Sequence, residues 1–226
     1  GGGRGDAHAG GEGQGHRGVR REYSHPDNKP LASVPADPPS KRINTNGTKP
    51  GVVNVKVVPG NTVDVIVAAK GGGSEAKSKF VMLNPSDSIV DWVLKTVPTM
   101  GAGWCPPGML GIGIGGTAEK AMLLAKEALM EPIDINELQA RGALNRSEEL
   151  RLELFDKVNA LGIGAEGLGG LTTVLDVKVK DYPTHAATLP GAMIPNCAAT
   201  RHAHFTLDGS GPVMLDPPSL ADWPQL

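Results

Sequence analysis

The chain has 226 residues, and its 22 Lys and Arg against 24 Asp and Glu give a net charge of −2, so it lacks the basic surplus typical of nucleic-acid binding. No apolar run approaches the roughly 18 residues of a membrane span, and no secretory signal opens the sequence. Two cysteines are too few for a disulfide framework, so we expect a globular, cytoplasmic protein without nucleic-acid or membrane partners.

The first 50 residues differ in composition from the rest. Nine of the first 18 are glycine, and six prolines lie between Pro26 and Pro50. Neither a helical nor a strand period is present, so burial could not compensate for the entropy of ordering this segment. His8 and His16 could hold a metal, but solvated histidines are the favoured interpretation. We expect residues 1–50 to be irregular and residues 51–226 to form the ordered domain.

Order is predicted from Gly51 onwards. Val52–Val58 is rich in β-branched residues, Pro59-Gly60-Asn61 has turn chemistry, and Thr62–Ala69 alternates at its start. Two such runs separated by a short turn predict a β-hairpin. Lys70-Gly71-Gly72-Gly73-Ser74 follows, and indicates either a flexible turn or a backbone that approaches a ligand closely.

Helices and one further strand are predicted in the middle of the chain. Ser86-Asp87 begins one helix, Thr117 caps a second that runs to Met130, and Asn145 or Ser147 begins the strongest, which Gly162 ends. Thr172–Val179 alternates as a half-buried strand. Strands and helices mix without a regular βαβ order, so the predicted fold class is mixed α/β.

The run Gly111–Gly116 matches the G-x-G-x-x-G pattern of dinucleotide-binding folds, and a predicted helix follows it. That fold needs a strand before the first glycine, whereas Trp104-Cys105-Pro106-Pro107-Gly108 stands there. The only available strand, Met109–Ile114, contains the glycines itself. We therefore expect these glycines to let another backbone or a buried cofactor lie against the strand.

Both cysteines have rigid or small neighbours. Cys105 precedes two prolines, and Cys197 lies between Pro195-Asn196 and Ala198-Ala199. A lone cysteine is more often a small buried hydrophobe, although such surroundings also suit a thiolate metal ligand. The 92-residue spacing matches no zinc motif, so the pattern by itself leaves both interpretations open. His202 and His204 could chelate a metal or pack locally, and Arg201 could neutralise a nearby charge or form a structural pair.

Five motifs, taken together, resemble the class I, iron–sulfur fumarate hydratases. They are Lys70–Ser74, Gly101–Ala121, Leu168–Thr172, Tyr182–Ala187 and Asn196–His202. The likeness runs in order from about Pro50 to Leu207, and L-tartrate dehydratase shares much of it. The resemblance implies the cluster-binding, N-terminal-type α/β domain of that family, present here in part.

The family holds a 4Fe–4S cluster with three cysteines, which leaves one iron open to substrate. Cys105 and Cys197 match the second and third of these ligands, whereas the first has no counterpart here. The family also takes substrate-binding Arg and Lys residues from a further C-terminal domain that this sequence does not contain. The expectation is thus a chain truncated at both ends and inactive by itself.

The resemblance assigns two further site residues. His185, in the Pro-Thr-His-Ala-Ala motif, matches a residue that contacts substrate, and the backbone of Gly73 matches a carboxylate-binding site. The implied activity is reversible hydration of fumarate to L-malate, a tricarboxylic acid cycle reaction, in a homodimer that binds a small dicarboxylate. The alternatives are the α subunit of an L-tartrate dehydratase type of hydro-lyase, or a catalytically incomplete remnant that lacks the third cluster cysteine.

Overall fold

The computed structural model describes residues 35–44 and 51–211, in two compact units. One unit contains the described residues up to Val67 and from Ala203 onwards, and the other runs from Ala68 to His202. His8, His16 and most of the irregular segment predicted for residues 1–50 lie outside the described residues, so that boundary stays a prediction. No helix in the described ranges is long and apolar enough to cross a membrane.

The elements alternate between strands and helices. The strands are β1 (Pro35–Ala36), β2 (Ile43–Asn44), β3 (Val63–Ala69), β4 (Lys79–Leu83), β5 (Gly108–Gly115), β6 (Val174–Tyr182), β7 (Leu189–Cys197) and β8 (Arg201–Leu207). The α-helices are α1 (Gly72–Glu75), α2 (Ile89–Thr96), α3 (Ala118–Leu129), α4 (Ile135–Arg141) and α5 (Arg146–Asn159). Two 3₁₀ segments cover Val97–Trp104 and Ala165–Gly167. The mixed α/β prediction is confirmed.

The predicted hairpin is wrong. Residues 51–62 form no strand, and Val52 and Val57 are almost fully exposed. The strand that does form there, β3, pairs with β8 from more than 130 residues further along the chain. Local β-propensity reports how well a residue suits a pleated surface and does not select the strand's partner, which is why the prediction failed.

A four-stranded sheet, in the order β4-β7-β5-β6, forms the centre of the larger unit. β5 and β6 are parallel, while β7 runs antiparallel to both β4 and β5. β7 contains Pro190 and Pro195, which is unusual for a strand with two neighbours. Its partners overlap only between Gly191 and Met193, so each proline lies where β7 pairs with one strand alone.

Helices cover both faces of this sheet. On one face, Leu110 and Ile112 of β5 pack against a core that includes Val93 of α2 and Leu154 and Val158 of α5. The other face contacts α3, whose Ala121 and Ala125 pack with Ala192 and Ile194 of β7. Because side chains alternate along a strand, the glycines between Leu110 and Ile112 and beyond face α3.

The glycines of β5 allow a close backbone approach, as predicted. A Cβ on Gly111 would lie 2.2 Å from the Ala125 carbonyl oxygen, and one on Gly113 would lie 2.0 Å from that of Ala121. Such distances exclude any side chain at either position unless α3 moves away. The neighbour that these two glycines accommodate is therefore the helix backbone, and the strand that contains them is β5.

Candidate active site

The two cysteines lie at the same end of the central sheet. Cys105 follows the 3₁₀ segment that leads into β5, and Cys197 is the last residue of β7. The ladder pairs Cys197 with Gly108, the first residue of β5 and only three positions after Cys105. Neither thiol forms a disulfide; Cys105 is exposed and Cys197 is half-buried. The fold thus brings together two residues that are 92 positions apart in the sequence.

The backbone holds Cys105 in an uncommon conformation. Its φ and ψ are 56° and 62°, in the left-handed region that residues other than glycine rarely adopt. The Cys105 N–H donates to the Ala102 carbonyl oxygen at 2.8 Å, which closes the turn. This turn directs the chain out of the buried Trp104 and leaves the thiol exposed.

Several negative groups surround the Cys105 thiol. Its pKa is raised by partial desolvation, then by the carboxylate of Glu166 and by the thiolate of Cys197. The Glu166 N–H donates to the Pro106 carbonyl oxygen at 2.7 Å, which holds the loop after α5 beside the Cys105 turn. A thiol in such surroundings keeps its proton more readily than a free cysteine does, so loading it with a metal must release that proton.

The triple-glycine turn packs directly on the Cys105 segment. A Cβ on Gly73 would lie 2.7 Å from the Gly103 carbonyl oxygen, and one on Gly103 would lie 2.7 Å from the Lys77 Cε atom. The first two glycines of the turn, Gly71 and Gly72, have no such neighbour within 4 Å. The structure therefore places Gly73 at the same end of the sheet as both cysteines, and its lack of a side chain permits the close approach.

A buried lysine lies under this turn. The Lys70 Nζ atom donates to the Ser74 Oγ atom at 3.0 Å and pairs with Glu75 at 3.0 Å, while its side chain is only 9% exposed. Burial lowers the pKa of Lys70, and the neighbouring Glu75 carboxylate and the more distant Cys197 thiolate partly offset that effect. The sequence analysis assigned no role to Lys70 or Glu166; Lys70 lies within a quoted motif, while only the folded chain reveals Glu166.

His185 lies at the opposite end of the sheet. It belongs to the loop between β6 and β7, and β7 then runs its full length before it reaches Cys197. The eight steps from Leu189 to Cys197, at about 3.4 Å each, separate the two ends by about 27 Å. The structure therefore does not bring His185 together with the cysteines and Gly73 of the same chain.

The surroundings of His185 form a cleft of their own. His185 lies with Gly116, Lys120 and Tyr182 around a shallow space of about 620 Å³, and the Lys120 ammonium stacks over the Tyr182 ring. The Ala187 N–H donates to the His185 Nδ1 atom at 3.1 Å. In the neutral imidazole this bond leaves the proton on Nε2, the nitrogen available to a ligand.

The other candidate residues near Cys197 have local roles. The Arg201 Nη1 atom donates to the carbonyl oxygens of Ala198 and Thr200, which supports the structural interpretation of this arginine. His202 and His204 are both exposed on β8. In the described ranges, no group of three His, Cys, Asp or Glu side chains could hold a metal ion.

The donor set fits a thiolate-bound cluster in part. Two free thiols meet at one end of the sheet, and the indole N–H of the adjacent Trp104 is buried without a hydrogen-bond partner among the described residues. Thiolates are the protein ligands of iron–sulfur clusters, and buried N–H groups nearby can donate to their sulfur atoms. Cys105 and Cys197 thus supply two ligands, and the sequence holds no third cysteine.

Comparisons with known proteins point to one family. The family model described as fumarate hydratase (Fumerase) matches residues 7–206. The protein named "Putative L(+)-tartrate dehydratase subunit alpha" from Methanocaldococcus jannaschii is 44% identical over 147 residues, which cover 62% of this chain and 49% of that protein. The L(+)-tartrate dehydratase subunit alpha of Escherichia coli (strain UTI89 / UPEC) is 30% identical over 174 residues, which cover 73% and 56% of the two chains. The chain spans about half the length of these relatives.

Proposed function

The chain belongs to the fumarate hydratase family, and we propose that it forms the cluster-binding part of a hydro-lyase that interconverts fumarate and L-malate. The observation that carries this proposal is the meeting of Cys105, Cys197 and the triple-glycine turn at one end of the central sheet. Ligands for iron act best in a reducing compartment, and both thiols are free, so the cytoplasm is the proposed location.

In this proposal, Cys105 and Cys197 hold two irons of a 4Fe–4S cluster, and a third thiolate comes from outside this chain. When bound, the cluster supplies a Lewis acid that assists loss of the malate hydroxyl group. Gly73 offers a backbone N–H to one substrate carboxylate, and glycine suits that role because no side chain separates the amide from the anion. The Glu166 carboxylate and the partly desolvated Cys105 thiol place negative charge beside the ligand position, so positive groups nearby have to balance it.

His185 has a role in this proposal only if it acts in a second copy of the chain. About 27 Å separate it from the cysteine end of its own sheet, far beyond the reach of an imidazole. We therefore propose a homodimer in which the loop 183–188 of one copy enters the substrate site of the other. An Nε2–H donor, as the Ala187 contact implies, suits a carboxylate or hydroxyl oxygen of the substrate.

Mixed dimers test this arrangement. A holoenzyme that combines one copy carrying Cys197→Ser with one copy carrying His185→Ala should retain one intact site if His185 acts across the dimer. It should retain none in both sites if His185 acts within its own copy, because each copy then lacks one residue. The doubly substituted chain, mixed with the unsubstituted chain, provides the reciprocal control and should leave no intact site in the mixed dimer.

The ligand assignment has its own test in the holoenzyme that contains this chain. Cys105→Ser and Cys197→Ser should each abolish the cluster absorbance and the malate–fumarate turnover. Ala199→Ser, which adds a hydroxyl at an exposed position two residues from Cys197, is the matched control and should change neither. Full absorbance and full rate in both cysteine variants would show that these residues are not ligands.

A second candidate function is dehydration of L-tartrate. It is favoured by the names of the relatives, which are L(+)-tartrate dehydratase α subunits, and these names also favour a partner subunit that completes the enzyme. Assays of the same holoenzyme with L-malate, fumarate and L-tartrate, compared by kcat/KM, decide between the two substrates. The chain alone, reconstituted anaerobically with iron and sulfide, should form little stable cluster because it offers two cysteine thiolates.

A further inference from the structure

The buried ammonium group of Lys70 lies at the junction of every element of the candidate site. Its side chain is 9% exposed, its Nζ atom donates to the Ser74 Oγ atom, and the Ser74 hydroxyl donates to the Gly71 carbonyl oxygen at 3.0 Å. These two bonds close the triple-glycine turn from below. Lys70 therefore holds the turn in the position in which Gly73 meets the Gly103 carbonyl group.

The charge of Lys70 is only partly neutralised. Its ion-pair partner Glu75 is shared with Lys126 of α3, at 2.5 Å, so the three side chains together carry a net charge of +1. The two lysines hold the pKa of Glu75 below its usual value although burial opposes this, which keeps the carboxylate charged. Lys126 is 32% exposed, so Lys70 is the buried cation of this group.

Lys70 also lies near a proposed ligand. Of the two cysteines, Cys197 is the one whose thiolate favours the charged form of Lys70. A lysine ammonium has three N–H donors, and two of them have partners among the described residues, Ser74 and Glu75. Positive charge is therefore placed at the point where thiolates and a dicarboxylate would bring negative charge together.

We propose that Lys70 is a positioning residue that holds the triple-glycine turn against the Cys105 segment and supplies the positive charge that balances the anions bound there. The proposal rests on the function proposed above, since it assumes that anions bind at the cysteine end of the sheet. Ser74 and Glu75 fix the ammonium group, and the Gly71 and Gly73 backbone then takes its shape from that fixed point.

The charge can be tested on the metal-free chain without any turnover. Iodoacetate and iodoacetamide alkylate the same thiolate and differ in charge, so the ratio of their rates at Cys197 reports the local potential and does not depend on the thiol's protonation. Lys70→Met should lower this ratio by about two- to fivefold, the range that charge interactions at partly exposed sites span. Lys70→Arg should retain it, and Lys126→Met is the matched control that removes an outer charge of the same group.

The outcomes separate this proposal from the proposed function. A ratio that Lys70→Met leaves unchanged, or that Lys126→Met lowers equally, overturns the role of Lys70. In the holoenzyme, Lys70→Met should raise the KM for the dicarboxylate about tenfold with a smaller change in kcat, whereas an unchanged KM overturns it. A holoenzyme that turns over no dicarboxylate contradicts the proposed function, while the alkylation ratio still decides whether Lys70 supplies the charge.

Discussion

Substitution of Gly73 by alanine measures how tightly the triple-glycine turn fits the Cys105 segment. The new Cβ would lie 2.7 Å from the Gly103 carbonyl oxygen, against 3.4 Å for the start of ordinary contact, so the two backbones must separate by about 0.7 Å. Overpacking against backbone costs about 1–3 kcal/mol. The neighbouring Gly72 has no atom within 4 Å of its Cβ position and lies in the same short helix, which makes Gly72→Ala the matched control.

The comparison of the two variants isolates the steric cost. Alanine gains about 0.5–1 kcal/mol over glycine in a helix, and this gain applies to both substitutions. The free energy of unfolding in urea should therefore be about 1–3 kcal/mol lower for Gly73→Ala than for Gly72→Ala. In the holoenzyme, Gly73→Ala should also raise the KM for the dicarboxylate, because the Gly73 amide moves with the turn. Equal unfolding free energies for the two variants would refute the close contact between the turn and Gly103.

Three further predictions concern the strand, the thiol and the helix start. Gly113→Ala places a Cβ 2.0 Å from the Ala121 carbonyl oxygen and should lower the unfolding free energy by about 1–3 kcal/mol, measured in urea; an unaffected protein contradicts the packing of α3 on β5. Glu166→Gln removes a negative charge that raises the pKa of Cys105, so the pH midpoint of Cys105 alkylation should fall, and an unchanged midpoint rejects that contact. Arg141 lowers the pKa of Glu148 to about 2, so the stability that Glu148 adds is present above pH 4.5 and is lost as the pH falls towards 2; the stability gap to Glu148→Gln, followed by thermal unfolding, should close over that range and not at neutral pH.

Features that depend on neighbouring residues were predictable. Asn145 begins α5, and its side chain accepts the Glu148 N–H at 2.9 Å, as its position before two glutamates implied. The strand predicted over Thr172–Val179 is present as β6, two residues later at its start. Capping and alternation act within one turn or one strand, so the sequence carries them directly.

Strands that break the usual pattern were not predicted. β7 contains two prolines and a glycine, which argue against a central strand until its staggered partners are known. β4 was missed as well, and β3 was assigned to a local hairpin although its partner is β8. Each of these depends on which strand lies alongside, and strand pairing joins distant parts of the chain.

Residue chemistry and motif order by themselves determined the mixed α/β class, the family and the two cysteines as a pair of interest. Only the tertiary structure decided that Cys105 and Cys197 share one end of the sheet, that His185 lies at the other, and that Lys70 lies beneath the triple-glycine turn. The reason is physical: a motif records which groups are available, whereas the direction and register of β5, β6 and β7 determine which of those groups can meet.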